Sequence, residues 1–382
     1  MEFVYVFETP ILNRDIERYR INIAKGKGFE IKILDISLIY QQFASQMIKS
    51  DVCDYKQYNV TQPYNKFELD RYILSHKDSF YMMRIGNDAC FNHIYKMFYK
   101  YNIQYAVLIP ESSPSIPEGN KRIDSFTRRL LRNPAQTIWQ SVYKRIMPIL
   151  NIQAAKYVIY TGNIDNAKYL VSNYKTCDST QYLEICSNST SEGKSVNRFI
   201  CERYCLFIDQ GLPWHPDLKS NNAHIDERMY LTNLNNFLTI IAKRMNLKVV
   251  IALHPRVEYP DNLFNPRFLL IKGKTHDLVQ HANFVIYMFS EAFNYIMLYK
   301  KPILPITMNC IEKIYGSIIY SRPNEIGAKV LRIDDFNENR ENFEDYIYYN
   351  ESEYNKYTLK YINTRNSKPM EELLKIISQD NI

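Results

Sequence analysis

Lys248-Val249-Val250-Ile251-Ala252-Leu253-His254-Pro255-Arg256 decides the fold. After one lysine come five apolar residues in a row, too few for a helix and without polar alternation. A run of that kind suits a strand covered on both faces of a parallel sheet. Pro255 ends it, because proline gives up its N–H and pushes the residue before it into extended backbone. His254 is thereby expected at the carboxyl end of the strand.

The same rhythm extends in both directions. Residues 204–208 read as the preceding strand, and 226–245 as a long amphipathic helix with Leu231, Leu234, Phe237, Leu238 and Ile241 on one face. Strands at 268–271, 284–287 and 302–304 follow, with helices at 276–281 and 291–299 between them. Upstream, strands are expected at 3–7, 31–36, 80–85, 105–109 and 157–160, and helices at 14–27, 67–75, 92–101 and 123–147. Strands alternating with helices indicate βαβ units and parallel sheets. The small polar stretch 186–197 reads as a linker between two doubly wound halves. The expected domains are therefore 1–197, 198–342 and a helical segment at 343–382.

With 382 residues, 46% hydrophobic and 23% charged, the chain has the composition of a globular protein with two cores. No apolar run approaches the ~20 residues of a membrane span. Met1-Glu2-Phe3-Val4 carries no basic region of the signal-peptide kind, and seven scattered cysteines form no zinc-type pairs. A cytoplasmic protein with reduced thiols is expected. The net charge of +7 is too dispersed for nucleic acid. Lys121, Arg122, Arg128, Arg129, Arg132, Lys144 and Arg145 would give a helix a basic face able to rest on anionic lipid at the inner side of a membrane.

In open parallel sheets ligands collect beyond the carboxyl ends of strands, so those ends hold the candidate residues. His254-Pro255-Arg256 offers an imidazole and a guanidinium suited to phosphate. Ser290-Glu291 opens a helix, where a serine cap and free amides suit an anion and the carboxylate suits ribose hydroxyls; Thr275 repeats the pattern one helix earlier. Asp209, His215 and Asp217 lie in a stiff loop with Trp214, two prolines and a glycine, where acid–base groups can be held in place. Glu8, Asp88 and Glu111 follow strands of the first half and are candidates for the acceptor side. The Rossmann fingerprint, the P-loop, the zinc-protease motif, the nucleophile elbow and Asp-x-Asp are all missing, so no metal or cofactor is expected.

A strand ending in His254-Pro255, followed about 35 residues later by Ser290, resembles the nucleotide half of GT-B glycosyltransferases. The closer likeness is to the bacterial sialyltransferase and polysialyltransferase group and its relatives that use CMP-activated acidic sugars such as Kdo or nonulosonic acids. Their acidic-Gly, His-Pro and serine motifs stand here in order as Asp209-Gln210-Gly211, His254-Pro255 and Ser290, with Gln210 and Phe289 departing from the pattern. The resemblance spans mainly 204–310. It implies two Rossmann-like domains facing a cleft, with the acceptor on the first and the donor on the second. The implied activity is metal-independent, inverting transfer of a CMP-linked sugar to a glycan or lipid-linked glycan of the lipopolysaccharide, capsule or O-antigen kind. Asp209 would be the base, and His254 with Ser290 would steady the leaving phosphate. A CDP-polyol phosphotransferase of the teichoic-acid type, or a non-catalytic binding protein of glycan assembly, would share this layout.

Overall fold

A computed structural model describes residues 1–40, 52–85, 89–109, 114, 155–162, 174–179, 182–183, 185–186, 202–215, 218, 224–255, 257–363 and 367–380. The chain divides into two compact units. One comprises Met1–Ser112, Pro117–Thr180 and Asn366–Ile382; the other comprises Gln181–Arg365 with the short Ser113–Ile116.

The first unit is a sheet in the order β3-β2-β1-β4-β5-β6-β7. Its strands are β1 (Glu2–Phe7), β2 (Glu30–Asp35), β3 (Val60–Thr61), β4 (Phe80–Met83), β5 (Tyr105–Ile109), β6 (Tyr157–Thr161) and β7 (Tyr174–Cys177). Every pairing is parallel. Alternate residues of β1 serve two cores: Phe3, Tyr5 and Phe7 pack on one side, Val4 and Val6 on the other. That double covering is why the run is continuously apolar.

The second unit repeats the plan as β10-β9-β8-β11-β12-β13. Its strands are β8 (Tyr204–Ile208), β9 (Lys248–Leu253), β10 (Leu269–Lys272), β11 (Val285–Tyr287), β12 (Ile303–Thr307) and β13 (Leu331–Arg332), again all parallel. Cys205 and Phe207 face one core, Tyr204, Leu206 and Ile208 the other. Between β8 and β9, the helix Glu227–Met245 is capped by Asp226, which accepts the Met229 N–H at 2.8 Å, and buries Tyr230, Leu234, Phe237, Leu238 and Ile241. It ends at Asn246, whose φ of 48° stops the α-helix.

Four differences separate the structure from the sequence reading. The single helix expected at 14–27 is two, Asn13–Arg18 and Ile21–Gly26, broken where Arg20 takes φ 51° and reaches Glu371 with Nε at 2.8 Å and Nη2 at 3.0 Å. The units change over at Thr180–Gln181. Within the linker expected at 186–197, only Cys186 is among the described residues. Residues 343–382 are not one segment: the helix Glu351–Tyr357 packs in the second unit, whereas Met370–Gln379 lays Met370, Leu373, Leu374 and Ile377 into a core of the first. The short strands β3, β7 and β13 were not expected from the sequence.

Candidate functional site

The second unit's chain order sets a switch point. From β8 the sheet grows through β9 to β10, then the chain returns to the other side of β8 as β11. Connections on either side of β8 leave from the same edge, the place where open sheets bind ligands. The three loops that carry the sequence motifs follow β9, β8 and β11, which are neighbours in that order. At ~4.8 Å per strand, the ends of β9 and β11 are about 10 Å apart.

Asp209 follows β8, and its amide still donates to the Ala252 carbonyl at 3.1 Å. The carboxylate expected to face an acceptor hydroxyl is instead enclosed, at 2% exposure. Its Oδ2 accepts the Gly211 N–H at 3.0 Å and the Tyr259 hydroxyl at 2.5 Å. Tyr259 in turn accepts the His254 backbone N–H at 2.8 Å. The Tyr230 hydroxyl lies near enough to act on the carboxylate, yet Asp209 Oδ1 and Tyr230 OH are both buried without a hydrogen bond of good geometry. Burial dominates and pushes the Asp209 carboxyl up to about 6, against the downward pull of Tyr259 and the Gly211 amide.

Gly211 is where the two loops touch. Its φ is +67°, and a Cβ there would stand 2.4 Å from Val257 Cγ2 and 3.3 Å from His254 Cβ. Farther along, the Trp214 and Tyr259 rings are 6.2 Å apart. The buried His215 ring meets the His254 ring at 4.8 Å, edge to face. His254 is half-buried just past the end of β9, and Pro255 is exposed in a turn.

On the far side of β8, the helix expected from Glu291 begins later, at Phe293, with Ala292 as its cap. Ser290 is therefore not the helix cap. It closes a turn: its Oγ accepts the Ala292 N–H at 3.2 Å, and its carbonyl accepts the Phe293 N–H at 3.2 Å. A hydroxyl that accepts in this way keeps one hydrogen to donate. Beneath the loop lies Arg322, 7% exposed, on the helix Ile318–Glu325. Its Nη1 donates to the Ser290 carbonyl at 3.1 Å and its Nη2 stands 2.6 Å from Glu291 Oε2, leaving Nε buried without a partner. One buried cation thus holds two successive loop residues and leaves the Glu291 carboxylate 45% exposed.

The remaining expected residues scatter. Thr275 opens the helix Thr275–His281 after the edge strand β10, two strands from β8, with Lys274 and not Thr275 at the cap position. Glu8 follows β1 in the first unit and is half-buried. Asp217, Arg256, Asp88 and Glu111 lie outside the described residues, as does the basic stretch 121–145. Sequence reasoning missed Tyr259, Tyr230 and Arg322. No signal marks one tyrosine among 32, and Arg322 lies 32 residues beyond the serine it supports.

Solved structures share the fold. The chain aligns over 99% of its length with all of a UDP-GlcNAc 2-epimerase from Methanocaldococcus jannaschii solved with UDP-GlcNAc and UDP (TM-score 0.51, 14% identity). It aligns end to end with the spinosyn forosaminyltransferase SpnP (0.52, 9%), and over 99% with 98% of the glycosyltransferase of kitacinnamycin (0.52, 8%). The fold is GT-B. No family model and no curated protein sequence matches the chain. The GT-B likeness therefore rests on backbone, with identities of 8–14%. Among the described residues, no helix is long and apolar enough to cross a membrane.

Proposed function

We propose that this chain is a glycosyltransferase that draws its sugar from a nucleotide-activated donor held at the carboxyl edge of the second unit's sheet. One observation carries the reading: His254, the Asp209–Gly211 turn and Ser290 follow adjacent strands around the switch point of a Rossmann unit, within a GT-B fold. The His254 imidazole and the Ser290 hydroxyl then steady the phosphate as its bond to the sugar breaks. Arg256 adds charge and Glu291 takes the ribose hydroxyls, while Thr275 has at most an outlying share. Asp209, being enclosed, anchors the loops, and the acceptor's proton goes to a group such as His215 or Asp217.

Within this reading the donor is a CMP-linked acidic sugar of the nonulosonic or Kdo kind, and the acceptor a bacterial surface glycan or its lipid-linked form. A monophosphate leaving group asks for less charge neutralisation than a diphosphate, so turnover is expected to survive chelation of divalent metals. Thermal shifts with CMP, CDP, UDP and GDP test the donor class, because a nucleotide that binds only the native state raises the melting temperature. His254→Ala is expected to fold and to lose about 10²–10³ in kcat. Wild-type turnover by that variant would remove His254 from the mechanism.

The epimerase neighbour supports a second reading, in which the same edge epimerises a nucleotide sugar instead of passing its sugar to an acceptor. Conversion of a nucleotide sugar to its epimer, with no sugar reaching added glycan acceptors, would favour it.

A further inference from the structure

Two loops that share no sequence are tied together through one hydroxyl. The His254 N–H can only donate, and an ionised carboxylate can only accept. Tyr259, standing between them, must therefore accept from His254 and donate to Asp209, so the direction of the relay is determined. His254 also lies past the last residue of β9, where its N–H needs an acceptor that the strand ladder does not give. Around this relay Gly211 lies too close to Val257 to admit a Cβ, the Trp214 ring stands beside Tyr259, and the His215 ring packs edge to face on the His254 imidazole.

We propose that Tyr259 is a positioning residue: held by Asp209, its hydroxyl grips the His254 amide and aims the imidazole along the switch-point edge. In this account Asp209 does not take a proton from the acceptor; it anchors Tyr259. The inference deepens the proposed function and rests on it for the role of His254, but not for the geometry.

Two measurements on the full chain separate these levels. In ring-labelled histidine NMR of the unliganded protein, His254→Ala identifies the His254 signal among the seven histidines. Tyr259→Phe should move that signal and leave His224, which is exposed, in place. An unmoved His254 signal overturns the proposal whatever the protein's activity. Should Tyr259→Phe fail to fold, Asp209→Ala releases the same hydroxyl and must move the same signal, with the same consequence if it does not.

The second measurement is nucleotide release from a panel of CMP-, UDP- and GDP-sugars, with added glycans and water as acceptors. Tyr259→Phe is expected to lower kcat about 10–100-fold with donor KM within about 3-fold, the mark of an interaction realised in the transition state. In a His254→Ala background the same change should cost less than 2-fold, because residues acting as one unit are not additive. Asp209→Asn keeps an oxygen for Gly211 and Tyr259 and should lose less than about 10-fold. A loss of about 10³-fold or more there is what removal of a general base gives, and it would overturn the positioning role. If the wild type releases nucleotide from no donor, the proposed function falls, and the NMR result still decides the relay.

Discussion

The two units use one device in mirrored form. In the first, Asp35 ends β2 fully buried, accepts the Ser37 N–H at 2.8 Å, and takes the Tyr55 hydroxyl, which itself accepts the Ile11 N–H at 3.3 Å from the loop after β1. In the second, Asp209 follows the central strand and its tyrosine grips the loop after the neighbouring strand. Both are an aspartate, the amide two residues on, and a tyrosine relaying to a backbone N–H. They differ in how completely they are closed. Asp35 also accepts Gln62 Nε2 at 2.7 Å, so both its oxygens are engaged, and its relay ends on an isoleucine. Asp209 leaves Oδ1 unmatched, and its relay ends on a histidine. The relay thus ties strand-end loops in both units, and the two differ in the residue whose amide they hold.

The largest expected break comes at the turn that the second relay needs. Gly211→Ala places a Cβ into Val257 at a left-handed backbone, and should cost about 4 kcal/mol in denaturant unfolding, with nucleotide binding lost. Gly28→Ala, at φ +87° in the first unit but with open space around it, should cost only about 1–2 kcal/mol.

The unequal closure predicts a pH signature. The folded Asp209 carboxyl titrates at about 6, above its ordinary 3.8, so between those values the native state binds the proton more readily than the unfolded chain. Stability from this group is present below about pH 4 and is lost as pH rises through 6. The shift corresponds to up to about 3 kcal/mol, and Asp209→Asn should remove that part of the slope in unfolding measured at pH 4.5 and 7.

Burial raises the Asp35 carboxyl as well, against the pull of Tyr55, Ser37 and Gln62, so Asp35→Asn shares that pH trend but carries a cost of its own. With donors on both oxygens, the new amide must point N–H at N–H or O–H, costing about 2 kcal/mol. Equal costs for the two asparagine variants at pH 7 would erase the distinction between a closed and an open relay. The smallest effect is at Ser290→Ala, where one turn-closing bond is lost: about 1 kcal/mol of stability, read beside any change in nucleotide affinity.

Much of the architecture was legible because parallel strands covered on both faces must be continuously apolar. The bounds of β8 and β9 agree with those read from the sequence, and the helix Asn92–Tyr101 likewise. The strand ends bearing His254 and Ser290 could be found for the same reason. Legibility failed where a partner distant in the chain decides. Arg20 breaks a helix where it meets Glu371, 351 residues on, and the helix after Ser290 starts later than a serine cap would set it.

Sequence alone determined the alternation of strands and helices, the two-unit plan and the strand ends where polar residues gather, since these follow from periodicity and backbone restriction within a few neighbours. Tertiary structure alone decided which groups meet. It turned Asp209 from an exposed carboxylate into a buried anchor, brought Tyr259 to His254, and set Arg322 beneath Ser290 and Glu291. The reason is physical: burial and hydrogen-bond pairing depend on neighbours that the chain supplies from tens of residues away, and no local pattern encodes their direction.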